Sequence, residues 1–172
     1  MLEAPLDNLN QAWKSRPYHP SDKEACLHIF ESNTPQYFLS NEKEIFSQYL
    51  NNHAEGYLVI EDAEGKIAAC GGYVIGLDGG AASLCWGMVH RESHGKGLGR
   101  YLLSNRLTIL AEIPKMKLIR MDTSQKSMEF FMKWGFKTYR ITQNHYGPGL
   151  HRHEMYLILD EEKIREILIA NK

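Results

Sequence analysis

The chain has 172 residues, 43% of them hydrophobic and 24% charged, with a formal net charge of -1. That length and balance suit one globular domain over residues 1–172, large enough to bury a core, and exclude fibrous or low-complexity classes. No apolar run nears the ~20 residues that span a bilayer, so no membrane association is expected.

The opening MLEAPLDNLNQAWKSRP lacks the basic start and apolar block of a secretion signal. SDKEACLHIFESN (21–33) reads as a helix with Ser21 as N-cap and Glu24 completing a capping box. NEKEIFSQYLNN (41–52) reads as a second helix starting at Asn41, with an aromatic loop, TPQYFLS, between the two. YLVIED and KIAACGGYVI are β-rich runs joined by a short turn, and ASLCWGMV continues as a third antiparallel strand. Gly87 inside that strand marks either a bulge, with something close to the backbone, or relief of crowding beside Trp86. Leu98, Tyr101, Leu102, Ile109 and Leu110 fall near helical spacing until Pro114. MKLIRMDT is then a strand, parallel to the one before the helix if the crossover is right-handed. SQKSMEFFMKWGF reads as a short helix stopped by Gly135, and FKTYRIT as a strand. QNHYGPGL reads as a polar loop, HEMYLILD as the last strand, and EEKIREILIANK as a helical tail. The pattern is α+β: a mixed, mostly antiparallel sheet flanked by helices, with one parallel crossover. No repeat or linker divides it.

Three cysteines, Cys26, Cys70 and Cys85, are odd in number and unclustered, and read as reduced core thiols of a cytoplasmic protein. No CxxC spacing exists, and the H-x-H of His151 and His153 lacks a third ligand, so no metal is expected.

Charge is distributed unevenly. Residues 1–89 carry 5 Lys/Arg against 12 Asp/Glu, whereas 90–140 carry 11 against 4. The basic segment opens on VHRESHGKGLGRYLL, where Gly95, Gly97 and Gly99 sit at a strand-to-helix junction. A helix N-terminus offers unpaired N–H groups and partial positive charge to an anion, and glycines let a phosphate approach. The Walker pattern GxxxxGK[ST] fails because Gly97 follows Lys96, and GxGxxG fails on spacing and on the antiparallel strands before it. The bases are dispersed and no groove-reading motif accompanies them, so nucleic acid is not an expected partner.

HGKGLG does fit R/Q-x-x-G-x-G/A, with His94 in the first position. With the downstream MDTSQKSMEFFMKWGF, the segment resembles the GNAT superfamily of acyl-CoA-dependent N-acyltransferases, over roughly residues 16–159. The resemblance implies a three-layer α/β/α fold and acetyl-CoA as co-substrate, lying where the strand ending at Val89 splays from the strand 117–122. Pantetheine would bond to main chain around Met88 and Val89. Pyrophosphate would meet the N–H groups of His94, Gly95, Lys96, Gly97, Leu98 and Gly99, with Lys96 and Arg100 as charge. Thr123, Ser124, Phe130 and Phe131 would line the far side. Two positions depart from the family. His94 replaces the usual Arg or Gln, and Phe131 stands where many members place a tyrosine that protonates the thiolate.

Acyl transfer to an amine needs a deprotonated amine, an oxyanion site and a proton for the thiolate. Ser83 stands where some members carry a basic carboxylate, so the proton chemistry is sought in QNHYGPGLHRHEM, with Tyr146 and Glu154 as catalytic candidates beside His145, His151 and His153. Tyr37, Asn41 and Glu42 are candidates for the opposite wall, with loop and cap roles as the competing reading. Trp86 and Trp134 read as core. The expected activity is acetylation of a primary amine on a small molecule. The alternatives are acetylation of a protein N-terminus or lysine, and an acyl-CoA-binding module without turnover. A monomer or homodimer is expected, with Ile164, Ile167 and Leu168 of the tail as a stripe for a second subunit.

Overall fold

A computed structural model describes residues 13–170; the opening stretch read for a secretion signal lies largely outside them, as do the last two residues. The strands are β1 (Lys14–Pro17), β2 (Tyr57–Glu61), β3 (Ile67–Ile75), β4 (Ala81–Val89), β5 (Leu118–Ser124), β6 (Lys137–Gly147) and β7 (Leu150–Ile158). The helices are α1 (Lys23–Ser32), α2 (Glu42–Asn52), α3 (Leu98–Ala111), α4 (Met128–Met132) and α5 (Glu161–Ile169). The strands form one sheet in the order β1-β2-β3-β4-β5-β7-β6. Only β4 and β5, joined through α3, run parallel within it.

Alternation along the strands assigns the two faces. Cys26, Ile29 and Phe30 of α1 and Phe46 and Leu50 of α2 pack on Tyr57, Val59, Cys70 and Met88. On the other face Leu103, Leu107 and Leu110 of α3 and Ile167 of α5 cover Ala82, Leu84, Ile119, Met121, Met155 and Leu157. In β5 this leaves Arg120 and Asp122 pointing to the α1/α2 face. Those two helices cover β2–β4, so the β5–β7–β6 end of that face is free to line a site.

Two expectations are corrected, and one strand goes unread in the sequence. α1 is not capped by Ser21 and Glu24. Pro20–Asp22 form a 3₁₀ turn capped by His19, whose N–H donates to Asp22 Oδ2 at 2.8 Å. Asp22 also accepts from Arg16 Nη1 at 2.7 Å, a β1 contact invisible to local pattern. β1 itself is a four-residue edge strand, too short to read from the sequence. QNHYGPGL is mostly not loop: β6 runs through to Gly147, and only the reversal around Pro148 is turn. Asn144 (φ 55°) makes the irregularity, its Oδ1 accepting from the Gly149 N–H at 2.8 Å. As the sheet's edge, β6 accommodates polar residues that resemble a loop. The tail's apolar stripe packs on its own core, with Ile167 3% exposed and Ile164 and Leu168 partly buried around it.

Candidate active site

β4 and β5 pair at Ala81–Leu118, Ala82–Ile119 and Ser83–Arg120, and then separate. The cause lies in β4. Its register against β3 shifts between Cys70–Met88 and Gly72–Cys85, and Trp86 adopts φ 46°, a bulge at a bulky left-handed residue. Cys85 and Trp86 therefore both face α2, where the Tyr49 hydroxyl lies 3.2 Å from Cys85 Sγ and Trp86 packs on Phe46 with ring centroids 5.0 Å apart. Gly87 turns to the α3 face, where a Cβ would meet the Arg106 guanidinium at 3.0 Å. The first reading of Gly87 holds: the bulge is real, and the Arg106 guanidinium approaches the backbone.

The separation opens a cleft of about 1160 Å³. At its mouth Gly95 (φ 75°) and Gly97 (φ 91°) adopt left-handed conformations, and Gly97 caps α3 without a side chain. Among the described residues, the N–H groups of Leu98, Gly99 and Arg100 have no intrachain acceptor, so the first turn of α3 presents donors and positive potential to the cleft. His90 N donates to Ala68 O at 2.8 Å, and bonded pairs alternate along an antiparallel ladder, so the Met88–Cys70 pair is bonded and Val89–Ala69 is not. The Val89 carbonyl accepts from Asn33 Nδ2 at 2.9 Å and from His94 Nε2 at 2.9 Å. The Val89 N–H is left facing the gap.

A polar wall closes the other end. Arg152 lies between two carboxylates: Nη2 donates to Glu154 Oε1 at 2.9 Å, and Nε stands 3.2 Å from Asp122 Oδ2, close enough for an ion pair but without hydrogen-bond geometry. Glu154 is buried and its other oxygen is held by Arg140. Burial pushes the Asp122 carboxyl above the usual carboxylate range, with Arg152 opposing. Burial also raises the Tyr146 phenol to about 12, with Asp122 adding to the shift. Tyr37, Phe38 and Glu42 form the facing side. Lys126 Nζ donates to the Gln36 carbonyl at 2.7 Å and lies 5.7 Å from the centre of the Tyr37 ring, tying that loop to the turn before α4.

Residues 23–136 match the model of the acetyltransferase (GNAT) family. The chain belongs to the GNAT family. Solved structures agree in fold. Ard1 from Thermoplasma volcanium superposes with a TM-score of 0.73 at 19% identity, over 87% of this chain and 99% of that one. The ribosomal-protein-S18-alanine N-acetyltransferase from Escherichia coli gives 0.71 at 21%, over 86% and 94%. A variant of spermidine N-acetyltransferase SpeG from Vibrio cholerae gives 0.69 at 16%, over 95% and 100%. No curated protein matches this chain.

Within this GNAT domain the residues expected from the sequence fall into two groups. Val89, His94, Gly95, Lys96, Gly97, Leu98, Gly99, Arg100, Thr123, Ser124, Phe130 and Phe131 all border the cleft, as do Tyr146 and Glu154. Met88 borders it too, but its side chain is core and its main chain is committed to β3. His94 turns its Nε2 to the Val89 carbonyl and so braces the turn from within. Glu154 is ion-paired on both oxygens and is not a free base. His145, His151 and His153 are not among the cleft residues, and His151 Nδ1 accepts from the Asn144 N–H at 3.0 Å. Tyr37 and Glu42 do form the facing wall, whereas Asn41 stays at the start of α2. Trp86 is both core and cleft wall, and Trp134 packs on the core.

Sequence reasoning missed Asn33, Arg106, Asp122 and Arg152. Asp122 stands inside the motif MDTS, where the resemblance assigns roles only to its neighbours. Arg106 carries a readable signal: a lone cation among Leu102, Leu103, Leu107 and Leu110, on the buried face of a helix.

Proposed function

We propose that the chain transfers the acetyl group of acetyl-CoA to a primary amine of a small molecule in the cytoplasm. The observation that carries this reading is the separation of β4 from β5 after three residue pairs, with the unpaired N–H groups of α3 at its mouth. Coenzyme A supplies a pyrophosphate for the N–H groups of 95–100, with Lys96 and Arg100 as counter-charge. Its pantetheine arm fits the gap between Val89 and the Thr123–Ser124 edge, against Phe130 and Phe131. Three free thiols, two of them fully buried, agree with a reducing compartment.

The proton steps follow from the wall. An alkyl ammonium with pKa near ~10.4 must lose a proton before it attacks. Asp122, raised by burial and the least committed of the wall carboxylates, accepts that proton directly or through one water. The amine nitrogen bonds to the thioester carbon, and the oxyanion that forms takes a hydrogen bond from the Val89 N–H. As the carbon–sulfur bond breaks, Tyr146 donates its proton to the thiolate, a role that Phe131 has no hydroxyl to fill; the phenolate then takes the second proton from the acylated nitrogen, and Asp122 returns the first to solvent. Burial keeps Tyr146 protonated at neutral pH, which suits a donor and disfavours a base. Glu154 holds Arg152, and through it the position of Asp122.

The test is thiol release from acetyl-CoA with a panel of small amines and short peptides. Amine-dependent release supports the enzyme, and faster release with peptides moves the acceptor to protein. Tight acetyl-CoA binding with no amine accelerating release would leave a binding module.

A further inference from the structure

Arg106 is a cation that the fold buries without pairing. It sits on α3 beneath the bulge of β4, 4% exposed, and borders the cleft. Among the described residues no carboxylate pairs with it. Its Nη1 reaches the Gly72 carbonyl at 3.4 Å, the long limit of a hydrogen bond, and its Nε has no partner. The titratable groups close enough to act on it electrostatically are Tyr49, Tyr57, Cys70 and Cys85, which belong to the α2 side of the sheet. Burial raises the two phenols and the Cys85 thiol, so these three stay neutral and supply no counter-charge.

The surroundings are built to admit the guanidinium. A Cβ on Gly71 would lie 3.2 Å from Nη1, and one on Gly87 would lie 3.0 Å from both Nη1 and Nη2. Two glycines on adjacent strands therefore leave the room that it fills. Arginine does not escape the low dielectric by deprotonating, and an unpaired buried charge is among the most unfavourable features a fold can keep. Nothing in the packing requires a charge here, since Leu102 and Leu110, one turn away on either side, are apolar. An anion brought by a ligand would pair with it in a bidentate manner.

We infer that the substrate turned over in this cleft carries a carboxylate, which Arg106 receives beneath the β4 bulge. The inference rests on the acyl-transfer reading above and adds a substrate class to it. The carboxylate has two possible sources: the far end of a dicarboxylic acyl group, or the acceptor amine.

Two arms of one experiment separate them. With a fixed neutral amine, succinyl-CoA is compared with acetyl-CoA. With acetyl-CoA, α-amino acids are compared with their amides. A charge-assisted pair in a buried site gives a preference of about 10–100-fold in kcat/KM for the carboxylate in one arm. In Arg106→Met that preference falls toward one, whereas Arg120→Gln, which removes an exposed cation of the same cleft, keeps it. If Arg106→Met does not fold, the wild-type preference and the Arg120→Gln result decide. Turnover with no carboxylate preference in either arm overturns the inference and leaves the acetyltransferase reading standing. A preference abolished by Arg120→Gln also overturns it. Absence of both acyl-CoA binding and turnover overturns both readings.

Discussion

Replacing Gly71 with alanine tests whether the close approach of β3 to β4 holds the acyl gap open. A methyl at Gly71 would lie 2.9 Å from the Gly87 Cα and 3.2 Å from Leu102 Cδ2. Carbon atoms pack best at about 3.5–4.0 Å, so the new methyl intrudes by roughly 0.6–1 Å. The first clash is with backbone, which cannot rotate away, and Leu102 and Arg106 behind it are 2% and 4% exposed. Overpacking of this kind costs about 1–3 kcal/mol, and a backbone clash points to the upper end. Alanine recovers about 0.4–1 kcal/mol by restricting the unfolded chain. The net is about 2 kcal/mol, and at ~2–4 °C per kcal/mol for a domain of this size Tm falls by about 4–8 °C. Gly99→Ala is the matched comparison. Its nearest neighbours would be Phe130 carbons at 3.8 and 3.9 Å and Val89 Cγ2 at 3.9 Å, and helix propensity favours alanine by up to ~1 kcal/mol. Calorimetry of both variants, with the rate of thiol release beside it, gives the answer. Gly71→Ala melting within about 1 °C of the wild type at an undiminished rate would refute the reasoning. β3 and β4 would then have slack, and the bulge would not be what sets the gap.

Other consequences are open to measurement. Asp122→Asn lowers kcat/KM by about 100-fold or more, and the acid limb of the wild-type pH–rate profile, set above the ordinary carboxylate range, disappears with it. Glu154→Gln loosens the Arg140 and Arg152 pairs, so it lowers Tm and raises KM more than it slows the chemical step; an unchanged Tm would count against this. Tyr146→Phe reduces kcat by about 100-fold with acetyl-CoA affinity retained, as single-turnover kinetics would detect. If Tyr146→Phe and Asp122→Asn both keep full kcat, the proton assignments are wrong. Gly97→Ala, at φ 91°, strains the cap of α3 by about 1–2 kcal/mol and weakens coenzyme A binding in titration calorimetry. His90 is buried next to His28, and burial pushes its pKa below the ordinary imidazole value. The unfolded chain therefore binds the proton more readily. His90's contribution to stability is complete above pH ~6.5 and is lost as pH falls through its folded pKa. Urea midpoints across that interval should decline less steeply for His90→Asn than for the wild type.

Elements carried by short-range pattern are legible in the amino-acid order. β-rich runs bounded by turn residues identify β2, β3, β4 and β5, helical spacing identifies α3, and Pro114 and Gly135 mark ends that the fold keeps. The donor end of the site is equally legible, because its chemistry is main-chain chemistry. Left-handed glycines and a helix N-terminus lie within a few consecutive residues, and local sequence specifies them completely.

The acceptor end is not legible in this way, since its parts come from α1, α2, β5, β6 and β7 and meet only through the sheet. Glu154 reads as a free carboxylate because Arg140 and Arg152 reach it through strand pairing and side-chain geometry that no spacing records. Asp122 becomes the proposed base only once β5 is seated beside β7, which sets its surroundings and its pairing with Arg152. Arg106 is the sharpest case. Its helix phase announces a charge on a buried face, but only the meeting of Gly71 and Gly87 across two strands shows where that charge fits. Sequence alone determined the local conformations and the surface proposed to meet a phosphate. Tertiary structure decided which charges are neutralised within the chain and which are left for a ligand, because ion pairing depends on distances between elements far apart along it.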